Sequence, residues 1–224
     1  MPEKNPTLNT SYSFEQLLDW FGRFTPQFKF RLQGFRRELD TKSFDAFVRD
    51  TLAVFRAVIV DLARVPKGPA RARRVYALVD AEFQASPPTG VSCASGCSAC
   101  CRSFPKQITD DEADLLAELI ATRKVVVDTD ELLRQSQASD QKAPCVFLDG
   151  AGRCSVYSDR PAVCRKYHVT SPRRSCESET ESVIPRIDLM PELIVSAAMS
   201  LPDNKIDMMA KQLAVRLARG SAAS

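Results

Sequence analysis

Apolar positions recur at helical spacing along most of this chain, and little of it alternates as a strand does. Phe14, Leu17, Leu18 and Phe21 form a first stripe, opened by Ser13 with Gln16 three residues on as a capping box. Phe44, Phe47, Val48, Leu52, Phe55, Val58, Ile59 and Leu62 share one broad face, which predicts a long helix from Ser43 to near Val65. Val75, Leu78, Val79 and Phe83 predict a third helix after Pro66-Lys67-Gly68-Pro69. Thr109 and Glu112 form a second capping box ahead of Leu115, Leu116, Leu119 and Ile120. Two closing helices are expected over 191–199 and 203–219, with Ile206, Ala210, Leu213 and Leu217 on the stripe of the second.

Strand signals are few. Val125–Val127 is one short candidate, and Thr129 is placed to cap a brief helix to Gln135. Pro144–Leu148 and Cys154–Tyr157 read as a β-hairpin around Asp149-Gly150-Ala151-Gly152. A short helix past Pro161 would carry Cys164 and Arg165. The fold class read from this pattern is mainly α, with helical N- and C-terminal segments around a Cys-rich region holding a small β-hairpin. Four regions follow: a disordered tail at 1–12, helices over 13–88, the Cys-rich region at 89–180 and C-terminal helices at 181–224. Pro87-Pro88-Thr89-Gly90 marks the boundary ahead of the cysteines.

Composition changes this picture at one place. The 224 residues are 44% hydrophobic and 26% charged, enough for a core without covalent staples. The start carries no apolar signal segment, and the longest apolar run is too short to span a bilayer, so no membrane partner is expected. A cytoplasmic location follows as an expectation, and reducing cytosol disfavours structural disulfides. Eight cysteines in such a chain read as ligands rather than as four bridges.

Those eight are Cys93, Cys97, Cys100, Cys101, Cys145, Cys154, Cys164 and Cys176. Cys97-x2-Cys100 lets one turn offer two sulfurs to one ion, and Gly96 allows the backbone to fold tightly beside them. Adjacent Cys100 and Cys101 diverge, so one of them serves a second ion, bridges two, or stays free. Thiolates select zinc or iron, as two four-coordinate sites or as a 4Fe–4S cluster with spare thiols. His168, the sole histidine, has three readings: ligand, proton carrier or surface residue. Cationic side chains near the cysteines, among them Arg102, Lys106, Arg153, Arg160 and Arg165, are expected to offset thiolate charge. Arg160 and Arg165 are expected to tune the site without ligating.

Net charge is +3, with 14 Lys/Arg against 8 Asp/Glu in the first 74 residues and 9 Asp/Glu against 3 Lys/Arg over 109–140. Solvated helix faces explain this better than a nucleic-acid footprint, because pI is near 8.4 and no readout motif occurs. A protein partner on the basic N-terminal helices stays open. The run Arg71-Ala72-Arg73-Arg74 opposes the dipole of the helix it begins, which points to an external anion or acidic partner, though a chance surface run is the commoner explanation. Phosphate loops, nucleophile elbows and His-based hydrolytic motifs do not occur. Cys93-x3-Cys97-x2-Cys100 has the spacing of radical S-adenosylmethionine enzymes, but the remaining residues lack their strand–helix rhythm.

Cys93-x3-Cys97-x2-Cys100-Cys101, Pro144-Cys145, Gly152-Arg153-Cys154 and Arg160-Pro161-x2-Cys164-Arg165 together resemble the cysteine-cluster (CxxCxxCC) family of zinc- or iron-chelating domain proteins. The likeness covers roughly 91–176. It implies metal chelation, and Cys176 completes the family's count of eight. This chain has three residues, not two, between its first two cysteines. A similar cysteine region occurs in flagellin lysine methylases, which look like iron–sulfur proteins. That implies an alternative: an iron–sulfur enzyme of redox or methyl-transfer type. A second alternative is a nucleic-acid or acidic-partner module with structural zinc.

Overall fold

The computed structural model describes residues 13–16, 18–19, 26–94, 96–103, 106–122, 124–138, 143–178 and 181–221. The expected disordered tail at 1–12, and Leu17 and Phe21 of the first stripe, lie outside them. The chain divides into two compact units, Met1–Asp61 and Leu62–Ser224.

In the first unit, Ser13 and Gln16 cap each other as read from sequence: the Ser13 amide donates to Gln16 Oε1 at 2.8 Å and the Gln16 amide to Ser13 Oγ at 3.2 Å. Helix α1 spans Pro26–Glu38 and α2 spans Thr41–Ala63. Asp40, not Ser43, caps α2: its carboxylate accepts from the Ser43 amide at 2.9 Å. Phe35 meets Phe47 edge-on at 5.0 Å and Phe14 meets Phe44 at 5.4 Å. These four phenylalanines are therefore spent on packing. Phe30 on α1 is exposed, at 71%.

In the second unit α3 (Pro69–Ala85), α5 (Asp110–Ala121), α9 (Leu189–Ser200) and α10 (Met209–Ser221) build the core. Helix α5 packs on both α3 and α10, and α9 packs on α3. Leu115 and Leu116 of α5, Val79 of α3 and Leu213 of α10 are fully buried, each contributing about 1.5–3 kcal/mol. Ala113 and Ala197, also fully buried, let helices approach closely. Helix α6 (Thr129–Gln137) packs on α10 and is capped by Asp128, one residue before the expected Thr129.

The start of α5 absorbs much of the acidic character seen in the sequence. Asp111 receives the Arg71 guanidinium at 2.5 Å and the Gly68 amide at 2.6 Å. Asp110 and Asp114 both hold Arg216 of α10, at 3.0 and 2.5 Å. Arg73 reaches Glu118 at 3.3 Å. The basic start of α3 is thus met from within the chain, Arg71 by Asp111 and Arg73 by Glu118, where the sequence pointed to an external anion or partner.

Two small antiparallel pairs complete the unit. β1 (Gln107–Thr109) pairs with β4 (Ile206–Met208), and β2 (His168–Val169) pairs with β3 (Pro185–Arg186). The first pair was not expected. It places Ile206 on a strand, so α10 begins at Met209 rather than near 203. The expected hairpin is reduced to a single bridge, Leu148 with Cys154, because Asp149 turns the chain tightly by accepting from the Ala151 and Arg153 amides. Residues 125–127 form no strand.

Candidate metal centre

Three short helices and two turns present the thiols. The amide of Cys97 bonds to the Ala94 carbonyl at 3.0 Å, closing a turn in which Gly96 takes φ of +77°. That left-handed residue absorbs the extra position between Cys93 and Cys97. Helix α4 (Ala99–Ser103) follows and carries both Cys100 and Cys101. Its Cys101 carbonyl accepts from the Cys145 amide at 2.7 Å, which fastens the second cysteine segment to the first. Gly152, at φ of +75°, sits where a Cβ would lie 3.1 Å from the Arg102 guanidinium and 3.5 Å from Ser98 Oγ. Helix α7 (Ala162–Lys166) brings Cys164, and α8 (Arg173–Glu177) brings Cys176 against α4.

Glu112 locks α7 in place. One carboxylate oxygen completes the Thr109 capping box and the other accepts from the Ala162 amide at 2.7 Å. Burial raises its pKa, and those hydrogen bonds resist the rise. Glu112→Ala is expected to cost about 1–3 kcal/mol and to speed alkylation of Cys164, with Glu112→Gln milder. Thermal melts and iodoacetamide rates measure both. Parent-like values for Glu112→Ala would remove this carboxylate from its role.

The first cluster and the later segments enclose one cavity of about 450 Å³. Cys93, Cys97, Cys100 and Cys101 line it together with Cys145, Cys154 and Cys164. Cys176 is not in the lining but lies within electrostatic range of Cys97, Cys93 and Cys100. All eight thiols are free, so the four-bridge alternative is not realised here. Among the described residues, no three His, Cys, Asp or Glu side chains stand in ion-holding geometry as arranged. The thiols surround a space rather than converge on a point.

The thiol environments differ. A hydrogen bond between Cys100 and Cys101 pushes Cys100 well up and holds Cys101 down. Burial pushes Cys164 up to about 12 and also raises Cys145, Cys154 and Cys93. Opposing this is Lys106, whose charge favours the thiolates of Cys100, Cys101, Cys145 and Cys164. Its ammonium donates to the Cys100 carbonyl at 2.7 Å and the residue is buried. Arg160 acts likewise on Cys154 while stacking over Tyr157 at 4.1 Å.

The wider charge match divides here. Arg165 lies over Tyr76 at 4.4 Å and binds Asp80, the Ser158 carbonyl and the Arg160 carbonyl, so its charge is spent on the scaffold. Lys166 pairs with Glu192 and Arg153 with Asp149. His168 lines the cavity on β2, with its ring edge-on to Phe83 at 5.0 Å. Its Nδ1 is buried without a hydrogen-bond partner, and burial lowers its pKa, which favours a neutral imidazole. Phe147, Tyr167 and Met209 also line the cavity and carry no sequence signal for it.

A cavity walled by seven thiols, with a buried lysine beside them, has the donor chemistry of a thiolate metal centre. Residues 92–185 match the CxxCxxCC family, described as a "Putative zinc- or iron-chelating domain". The match covers under half of the chain and holds all eight cysteines. No curated protein and no solved structure matches the chain. Among the described residues, no helix is long and apolar enough to cross a membrane.

Proposed function

We propose that this protein is a binding module that chelates zinc or iron through Cys93, Cys97, Cys100, Cys101, Cys145, Cys154, Cys164 and Cys176. The observation that carries this reading is the shared cavity, in which seven thiols from four separate segments meet. Thiolates favour zinc and iron over magnesium or calcium. A zinc ion supplies no redox or acid–base step when all its positions are filled by sulfur; it ties the loops together. Lys106 and Arg160 lower the cost of holding thiolate charge in a half-buried site. His168 stands ready as an additional donor through its unpartnered Nδ1.

The size of the cavity favours a second reading. About 450 Å³ exceeds the room one ion needs, since a single water takes about 30 Å³. An iron–sulfur centre, such as a 4Fe–4S cluster, would use that volume and open redox or methyl-transfer chemistry. Anaerobic purification followed by elemental analysis tests both. Zinc in a colourless protein supports the first reading, and a brown protein with acid-labile sulfide supports the second. Less than half an equivalent of any transition metal, with freely titratable thiols, rejects both.

A further inference from the structure

Cys101 and Cys145 are tied to each other through the backbone, the Cys145 amide donating to the Cys101 carbonyl at 2.7 Å. Among the described residues, no other backbone hydrogen bond outside the helices and strands joins two cysteines. The length of this bond and the fixed covalent geometry at its ends keep the two α-carbons within about 6 Å of each other. Disulfides span α-carbons about 4.4–6.8 Å apart, so the pair stands within bridging reach. Both residues are partly exposed and line the same cavity, which a peroxide-sized molecule has ample room to enter. Cys100 is the rival partner, because its thiol is hydrogen-bonded to that of Cys101. Successive α-carbons lie about 3.8 Å apart, too close for an unstrained bridge, and α4 holds both residues in one helical turn.

We infer that Cys101 and Cys145 form a redox-active dithiol, oxidised by hydroperoxides to a disulfide that withdraws two ligands from the metal centre. One sulfur attacks the O–O bond of the peroxide, keeps one oxygen as a sulfenic acid and releases the other as water or an alcohol. The second thiol then attacks that sulfur, the S–S bond forms, and the hydroxyl leaves as water. The two sulfurs lose two electrons together and the peroxide gains them. A disulfide offers no thiolate to an ion, so oxidation releases metal, while the new bond keeps α4 joined to the segment at 144–148. The effect on metal rests on the chelating reading above; the pairing rests on the backbone contact alone.

The test uses the full chain, metal-free under argon, treated with one equivalent of hydrogen peroxide. Thiol counts follow the loss, and peptide mapping without reductant reads the pairing. Two of the eight thiols should disappear, with the Cys101 and Cys145 peptides linked, and dithiothreitol should restore both. Cys101→Ser and Cys145→Ser, checked for folding by circular dichroism, should each slow thiol loss about tenfold or more. The oxidised wild-type chain should bind Zn²⁺ at least tenfold more weakly and recover on reduction. A map that pairs Cys100 with Cys101 or Cys145 with Cys154 overturns the inference, as does oxidation to sulfinic acid without a bridge. An oxidised chain that holds Zn²⁺ as tightly as the reduced one overturns the withdrawal of ligands. A reduced chain that binds neither Zn²⁺ nor Fe²⁺ overturns chelation, and the peptide map then decides the pair by itself.

Discussion

Stripping the metal should lower the melting temperature of the full chain by about 8–16 °C per site. Free metal held at a thousand times its dissociation constant stabilises the folded state by about 4 kcal/mol, and each kcal/mol moves a chain of this size by about 2–4 °C. The loss should fall on the segments that metal ties together rather than on α3, α5, α9 and α10, which have their own apolar core. Hydrogen exchange should show deprotection concentrated at 92–103, 144–166 and 172–177. The pH dependence has a sign of its own. In the metal-free protein, burial holds Cys93, Cys145, Cys154 and Cys164 above the usual 9.0, and the bond to Cys101 does the same for Cys100. Raised thiols stabilise the fold below pH 9.0, and that contribution is lost as pH climbs through the folded values, about 12 for Cys164. The metal-loaded protein weakens instead toward acid, as protons compete for its thiolates. Melting curves of both forms across pH 5–11 should therefore diverge in opposite directions. Parallel curves would count against thiolate ligation.

Asp111→Ala is the second large effect, with an expected loss of about 3–5 kcal/mol. Asp111 and Arg71 are almost wholly buried, and the pair ties α5 to α3. Removing the carboxylate strands the guanidinium with Asp203, which is about half exposed, and leaves the Gly68 amide without its acceptor. The double change Asp111→Leu with Arg71→Met should recover much of the loss, because no buried charge is then left alone. Urea titrations of the three proteins check this. A single variant within 1 kcal/mol of the parent, about the worth of an exposed pair, would show that the pair is screened as a surface bridge is.

The longer helices were legible because their apolar stripes repeat with the helical period. Thr109 with Glu112 announced α5 to the residue, since a capping box is a local hydrogen-bond pattern. The cysteines announced themselves by number and type. What spacing did not disclose was β1 with β4: their partners lie about a hundred residues apart, and three-residue strands carry no period to read. Arg165 shows the same limit. Beside Cys164 in sequence, it looked like a site charge, yet helix geometry turns it to Asp80 and Tyr76. Lys106, four residues clear of the cluster's nearest flank at Arg102, reaches the thiols by folding back onto the Cys100 carbonyl.

By itself the chain determined that the protein is mainly helical and that its reactive groups are clustered thiols. Both are properties of residue type and short spacing, which survive in an unfolded chain. Only the tertiary structure decided which thiols face one another, since Glu112 of α5 sets the start of α7 and α4 receives both Cys145 and α8. Those contacts join residues 44 to 78 apart in sequence, and only packing brings such distant positions to one cavity.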